Sequence, residues 1–396
     1  MVLMEIKGAE RLKHLPVYLF DALDAAKAEQ QAKGVKVIDL GVGDPDRPTP
    51  HYVIEALKQA AENPANLHYP SYKGLPEFRK AVAYWYKNNF NVDLDPNTEV
   101  LSAIGSKRAM ADMPMAFVNP GDIVLLPNPC YTAYIPGVLM AGGEVHFMPL
   151  TEANEFMPDL DAIPEVVCKR AKLLYLNFPG NPTAALAPVS YFEKVVAFAK
   201  KHNIVVAHDC PYSEAVYDGA RQPSFLETPG AKEVGVEFHS MSKVFNMSGW
   251  RIAYAVGNAQ VLAALGKVRS NVDMGIFEPL QHAAIAALTG NMDFTHETTA
   301  IYKERRDVLC AGLNRLGWNV RIPKGTFFIW TKVPAKGVSS ADFATQVLEK
   351  AGVLITPGNG FGEGGEGYIR IALTVDKEVM KEVVDRIEKA GFVYPE

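Results

Sequence analysis

The chain has 396 residues, more than one ordinary hydrophobic core organises, so two domains are expected. An apolar share of 48% and a charged share of 21% are those of a soluble globular protein, and exclude a disordered or fibrous chain. A net charge of −5 provides no basic footprint for nucleic acid.

The first fifteen residues, MVLMEIKGAERLKHL, are charged throughout and lack the apolar core of a secretion signal. The first 45 or so residues hold one helical pattern and too little core to stand alone, so they are expected to pack on the C-terminal part. From there EVLSAIG reads as a strand and KRAMADMPMAFV as the helix after it. DIVLLP, EVHFMPL, KLLYLNF and NIVVAHD read as further strands, separated by amphipathic stretches such as YFEKVVAFAKKH. Near-continuous apolar strands alternating with helices predict an α/β domain: a mostly parallel sheet sandwiched by helices, over residues 46–290. Ligands of such sheets gather at the carboxyl ends of the strands.

After Gly290 the pattern changes. A long helix, HETTAIYKERRDVLCAGLNRLG, precedes strand-like WNVRI and TFFIWTKV, a helix SADFATQVLEKAG, short strands VLITP and YIRIAL, and a last helix KEVMKEVVDRIEKAG. Residues 291–396 therefore read as a smaller α+β domain, completed by residues 1–45. No uncharged apolar stretch is long enough to span a bilayer. Four scattered cysteines, Cys130, Cys168, Cys210 and Cys310, form no CxxC pair and fit reduced thiols in a cytoplasmic protein.

GFGEGG, Gly360 to Gly365, matches GxGxxG, but a strand follows it where a dinucleotide fingerprint needs a helix, so a flexible loop is expected. His208, Asp209 and Cys210 are adjacent, yet alternate strand residues face opposite ways, which argues against a metal site. Three strand ends carry polar groups that a pure core would avoid. Asn181 follows KLLYLNF, Asp209 ends NIVVAHD with Tyr212 three residues on, and Lys243 ends VGVEFHSMSK. Each alone is a turn residue. Together on one rim, an acid, a phenol and an amine suggest a carbonyl-bearing cofactor.

NPT, D-x-x-Y and S-x-SK…GWR, in this order, resemble the class I/II aminotransferases, the fold-type I enzymes that use pyridoxal 5′-phosphate (PLP). The resemblance runs from LGVGDPDRPTP to YIRIAL. It implies that Lys243 bonds the cofactor aldehyde as a Schiff base and then carries the proton between the substrate α-carbon and the cofactor. It implies that Asp209 lies under the pyridine nitrogen, that Tyr212 and Asn181 bond the 3′-oxygen, and that Tyr131 stacks on the ring. The phosphate falls to Ser106 and Lys107 at a helix start, Ser240 and Arg251. Tyr69, in HYPSYKGLPEFR, reads from the residues alone as a turn tyrosine before a helix beginning near Pro76; the resemblance, with Gly74 five residues on, implies instead that it reaches the phosphate of the neighbouring subunit, and so a homodimer with shared sites. Arg370, a charge among the apolar residues of YIRIAL, takes the substrate α-carboxylate, or else sits in an internal salt bridge. The backbone near Gly43, in GVGDPD, resembles the family segment that closes over the substrate.

LKHLPVYLFDALD with Tyr18, YPSYKGLPEFRKAVAYWY, PYSEAVYDG and GIFEPLQ are similar to the LL-diaminopimelate group of that family. This implies Tyr18 over the substrate, 2-oxoglutarate as acceptor, a place in lysine biosynthesis, and a pocket with donors and acceptors beyond Arg370. Tyr18 offers a hydroxyl, Lys107 a cation, and loops of a second subunit an acid. Alanine- or aspartate-type transfer and PLP-dependent elimination or decarboxylation remain compatible with the motifs. A non-catalytic PLP sensor needs a DNA-binding module or a lost lysine, and the chain has neither. One departure is clear: Ala184 stands in NPTAA where many relatives have glycine, so if that glycine takes a positive φ the turn must differ.

Overall fold

The computed structural model describes residues 6–16 and 19–394. The strands are β1 Ile38–Asp39, β2 Val100–Ala103, β3 Ile123–Asn128, β4 Glu144–Pro149, β5 Ala171–Asn177, β6 Val205–Asp209, β7 Gly235–Ser240, β8 Ala253–Gly257, β9 Phe328–Lys332, β10 Val353–Leu354, β11 Thr356–Pro357 and β12 Tyr368–Ala372. Seven form the main sheet in the order β2-β8-β7-β6-β5-β3-β4. Strands β3 to β7 pair in parallel, and β8 runs antiparallel to β7 and β2.

Both faces of this sheet are covered, which is why its strands read as unbroken apolar runs. Leu173 and Tyr175 of β5 enter one core while Leu174 and Leu176 enter the other, following the alternation of strand side chains. The helix Val189–His202 buries Phe192, Val195, Val196 and Ala199 on one side. The helix Ser106–Phe117 buries Ala109, Met110 and Met113 on the other. Each large apolar side chain so buried contributes about 1.5–3 kcal/mol. From β3 the chain passes to β4 on one side and then to β5 on the other. The carboxyl ends of β3, β5, β6 and β7 therefore flank a topological switch point, where crevices form.

The two ends of the chain meet. β1 pairs in parallel with β10, Ile38 opposite Val353, and Leu23 packs on Leu348 and Leu354. A separate antiparallel sheet, β11-β12-β9, shares a core containing Ile38, Leu40, Leu309, Leu313, Phe328 and Ile371.

Three local expectations need correcting. WNVRI is not a strand: Asn319 is left-handed at φ 51°, and Trp318 is spent on the core, its Nε1 donating to the Phe392 carbonyl at 3.0 Å. VLITP is not one strand but two, Val353–Leu354 on β1 and Thr356–Pro357 on β12. GFGEGG is not an open loop. It folds as 3-10 turns pinned to the end of β3, with Gly364 N–H donating to Asn128 Oδ1 at 3.0 Å and Cys130 N–H to the Phe361 carbonyl at 2.9 Å.

At Ala184 the turn does not change to suit the residue. Ala184 itself adopts φ +57°, its N–H donating to the Gly180 carbonyl at 2.9 Å. A left-handed alanine costs about 1 kcal/mol that glycine avoids. Ala184→Gly is therefore expected to stabilise the fold by up to about 1 kcal/mol, read as a raised denaturant midpoint at unchanged m-value. A lowered midpoint would show that the Ala184 methyl, 6% exposed for the whole residue, earns more by packing than it loses in strain.

Candidate active site

Asn177 closes β5 and ties the floor together. Its Nδ2 donates to the Asp209 carbonyl at 2.8 Å, and its Oδ1 accepts from the Asn181 N–H at 2.7 Å. Asp209 closes β6. Its Oδ2 accepts the Tyr134 hydroxyl at 2.7 Å, while its Oδ1 is buried without a partner. Burial pushes the Asp209 carboxyl up to about 6, against the Tyr134 hydrogen bond and the nearby His208. A buried, half-satisfied carboxylate facing a crevice calls for a donor from a ligand.

His208 and Cys210 lie on the opposite strand face from Asp209. His208 Nδ1 meets Glu237 Oε2 at 2.8 Å, and Glu237 also accepts from Tyr86 at 2.6 Å, Ser224 at 2.8 Å and the Phe225 N–H at 2.8 Å. The glutamate is thus engaged within a closed hydrogen-bond network.

Lys243 lies in a single helical turn, Met241–Val244, that follows β7 directly. Ser240 caps it, its Oγ accepting from the Ser242 N–H at 3.2 Å. Lys243 Nζ donates to the Gly43 carbonyl at 2.9 Å. Burial pulls its pKa down to about 8, opposed by Asp44 and assisted by Arg370 and Arg251. A sizeable fraction of the amine is therefore neutral near neutrality, as a nucleophile or proton carrier requires.

Ser106 opens the helix Ser106–Phe117, with Lys107 beside it and Ser240, Ser248 and Arg251 facing the same corner of the cleft. Helix-start N–H groups, hydroxyls and cations make an anion seat. Arg251 is left-handed at φ 56° and donates to the Ser248 carbonyl at 2.7 Å. Gly105 is required here: it has φ 76°, and a Cβ on it would run into the Arg251 guanidinium.

Arg370 of β12 is 1% exposed. Its Nη1 donates to Asn181 Oδ1 at 2.9 Å, its Nη2 to the Gly41 carbonyl at 2.6 Å, and its Nε has no partner. The guanidinium lies 4.3 Å from the Phe328 ring centre and 4.8 Å from that of Phe361. Among the described residues no carboxylate pairs with it, which disposes of the internal salt bridge. Burial lowers its pKa to about 10, and the buried cation still lacks a counter-charge.

These groups line one cleft of about 470 Å³: Ser106, Lys107, Tyr131, Asn181, Asp209, Tyr212, Ser240, Lys243, Arg251, Gly43 and Arg370. Tyr212 is buried against Phe327 and Phe328, and burial drives its phenol well above the ordinary value. Tyr69 is not among them; it is 85% exposed on its own chain. Tyr18 lies outside the described residues. Sequence reasoning missed Tyr134, Asn177, Asp44, Phe20 and Asp24. Asn177 was visible as a polar residue closing an apolar strand, and Tyr134 as the residue one turn beyond Tyr131. Nothing local marked the others.

A partly neutral amine, a buried acid awaiting a donor and a buried arginine awaiting an anion, on the rim of a mostly parallel sheet, equip an enzyme for amine–carbonyl exchange. That is the class of the nitrogen-group transferases. The chain belongs to the aminotransferase class I and II family, which it matches over residues 35–387. It is 54% identical over 384 residues to an LL-diaminopimelate aminotransferase from Nitratidesulfovibrio vulgaris, covering 97% of this chain and 99% of the relative. It is 53% identical to the enzyme of that name from Syntrophobacter fumaroxidans, covering 98% and 100%. The substrate-bound BacF structure from Bacillus subtilis superposes with a TM-score of 0.96 at 39% identity, covering 99% of this chain and 100% of that one.

Proposed function

We propose that this aminotransferase moves an amino group between LL-diaminopimelate and 2-oxoglutarate, with PLP as its resident cofactor, as a step of lysine biosynthesis in the cytoplasm. The observation that carries the reading is the pair of demands across one cleft that the described residues leave unmet, Asp209 Oδ1 without a donor and Arg370 without an acid. The residues fit PLP. Asp209 Oδ1 offers an acceptor for a ring N–H, the Ser106–Arg251 corner offers a phosphate seat that only a glycine at 105 leaves open, and Lys243 offers a partly neutral amine.

Bound there, PLP supplies an aldehyde that exchanges with amines and a ring that delocalises the electrons left by a departing α-proton. The chain does the rest. Asp209 holds a proton at the ring nitrogen. Asn181, whose Oδ1 is taken by Arg370, would have its amide N–H left for the ring oxygen, and Tyr212 would donate there too. Tyr131 covers a ring face. Ser106, Lys107, Ser240 and Arg251 hold the phosphate. Lys243 takes the α-proton and returns it on the other side of the exchange. Arg370 grips the α-carboxylate, whose charge offsets the cost of burying the guanidinium. The strap at Gly43 covers the reacting end and excludes water; a Cβ there would strike the Phe328 ring.

The choice of diaminopimelate rests on the full-length relatives at 54% and 53% identity. It is tested by specificity constants for LL-diaminopimelate with 2-oxoglutarate against alanine, aspartate and meso-diaminopimelate. LL-diaminopimelate should rank first. A higher value for alanine or aspartate would overturn the substrate and leave the transferase.

We also propose that residues 1–45 and 291–396 act as one small domain against 46–290, and that two chains share their sites. Leu67, Tyr69, Val272, Met274 and Phe277 are exposed on adjoining segments, Arg269 tying them together by a bond to the Tyr72 carbonyl at 3.3 Å. An apolar patch of this kind suits a second copy of the chain. Mixed dimers of Tyr69→Phe and Lys243→Ala chains test the sharing. The Lys243-bearing site, which sees an intact Tyr69 across the interface, should bind PLP more tightly than the sites of a Tyr69→Phe homodimer. Equal affinity would confine Tyr69 to its own turn.

A further inference from the structure

A diamino, dicarboxylic substrate brings to the cleft a second ammonium, remote from the reacting carbon. Burying it unanswered is heavily disfavoured, so the wall beyond Arg370 must offer an acceptor. The acids lining the cleft are Asp24, Asp44 and Asp209. Asp209 is on the floor, bonded to Tyr134. Asp44 stands beside Lys243, whose charge it favours, and so belongs to the reacting end. Asp24, an exposed residue of the helix Leu19–Ala32, also lines the cleft.

Two features single out Asp24. Among the described residues it makes no hydrogen bond or ion pair, although a lysine lies three residues on at the helical spacing that normally pairs. That lysine, Lys27, is drawn instead to Asp39 at 2.7 Å. Among the described residues this helix thus leaves two carboxylates uncommitted, Asp21 and Asp24, and of the two it is Asp24 that lines the cleft. Asp24 is also one turn beyond Phe20, and residues four apart share a helix face. Phe20 lies 5.8 Å from the Arg370 guanidinium, so this face starts at the α-carboxylate grip and ends at Asp24. The adjoining stripe of the helix, through Leu23, is anchored on Leu348 and Leu354, with Phe20 packed beside it, which fixes the rotation of the helix.

We infer that Asp24 is a specificity-determining residue that receives the distal ammonium of the substrate, an acid supplied by the same chain where one from a second subunit was expected. The inference rests on the diaminopimelate reading. It extends it, because a monoamino substrate gains nothing from a carboxylate at this wall.

The test uses the PLP-loaded enzyme and two substrates that differ only at the far carbon, LL-diaminopimelate and L-2-aminopimelate. In the wild type the diamino substrate should have the higher kcat/KM. Asp24→Asn should shrink that preference at least about tenfold, the size of one charge-assisted hydrogen bond, chiefly through KM. Asp24→Glu, which keeps the charge, should restore part of it. A merely structural aspartate would lower both substrates alike and leave the ratio unchanged, and that result overturns the inference while the functional reading stands. A wild type that does not turn over LL-diaminopimelate overturns the reading and the inference together. Retention of the preference in Asp24→Asn with loss in Asp44→Asn would move the subsite to the strap and overturn the role of Asp24.

Discussion

Lys243→Ala is expected to lower kcat for amino transfer about 10⁴-fold or more, since it removes both the covalent anchor and the group that moves the α-proton. The other cations of the cleft cannot replace it. Arg251 is tied to the Ser248 carbonyl and Arg370 to Asn181 and the Gly41 carbonyl, and Lys107 belongs to the anion corner at the helix start. Borohydride treatment of the loaded wild type should leave PLP attached at residue 243, located by peptide mass; attachment at another lysine would move the site. The pH dependence follows from burial. With its pKa brought down to about 8, the Lys243 amine gains its neutral form as pH rises toward that value and is largely neutral above it. The rate of covalent PLP attachment to cofactor-free enzyme should climb about tenfold per pH unit below 8 and level off beyond. A rate still climbing near pH 10 would indicate an ordinary, solvated lysine.

Asp209→Asn is expected to cut kcat by about 10²–10³-fold, with the fold intact, because the amide keeps the shape and loses the charge that holds a proton at the ring nitrogen. Near-normal turnover would remove Asp209 from that role. The cofactor-free protein should respond the other way. The Asp209 pKa is raised by burial to about 6, above its unfolded value, so the folded protein binds more protons between about pH 4 and 6. The contribution of this group to stability is present below that window and is lost as pH rises through it. Without PLP, Asp209→Asn should therefore become more stable than the wild type above about pH 6, the gap opening across pH 4–6 in denaturant midpoints. A gap that opens on acidification instead would mean that the carboxylate is well satisfied without a ligand.

These effects trace to groups that could be seen in the chain before their neighbours were known. Asp209 was legible because a polar residue closing an apolar strand stands at the rim of a doubly covered sheet, where water or a ligand must meet it; Asn177 carries the same mark and was missed. Lys243 was legible for the same reason, one turn after a strand. The alternation of apolar runs and amphipathic helices likewise determined the α/β layering, since a strand buried on both faces carries mostly apolar side chains, Glu237 of β7 being tolerated by its four hydrogen-bond partners.

Other features depended on contacts that no local pattern encodes. WNVRI has the composition of a strand, but Trp318 is worth more in the core, and the left-handed Asn319 breaks the extension. VLITP divides between two sheets because its partners, β1 and β12, are distant in sequence. The hydrogen bond of Tyr134 to Asp209 spans 75 residues and that of Lys243 to Gly43 spans 200. The sequence alone determined which side chains are too polar for the core and at which strand ends they fall, because burial and periodicity are local properties of the chain. Only the tertiary structure decided which of those ends meet, that Arg370 lacks an acid and that Asp24 faces the cleft, because these are set by the crossing of elements whose separation along the chain carries no signal of their distance in space.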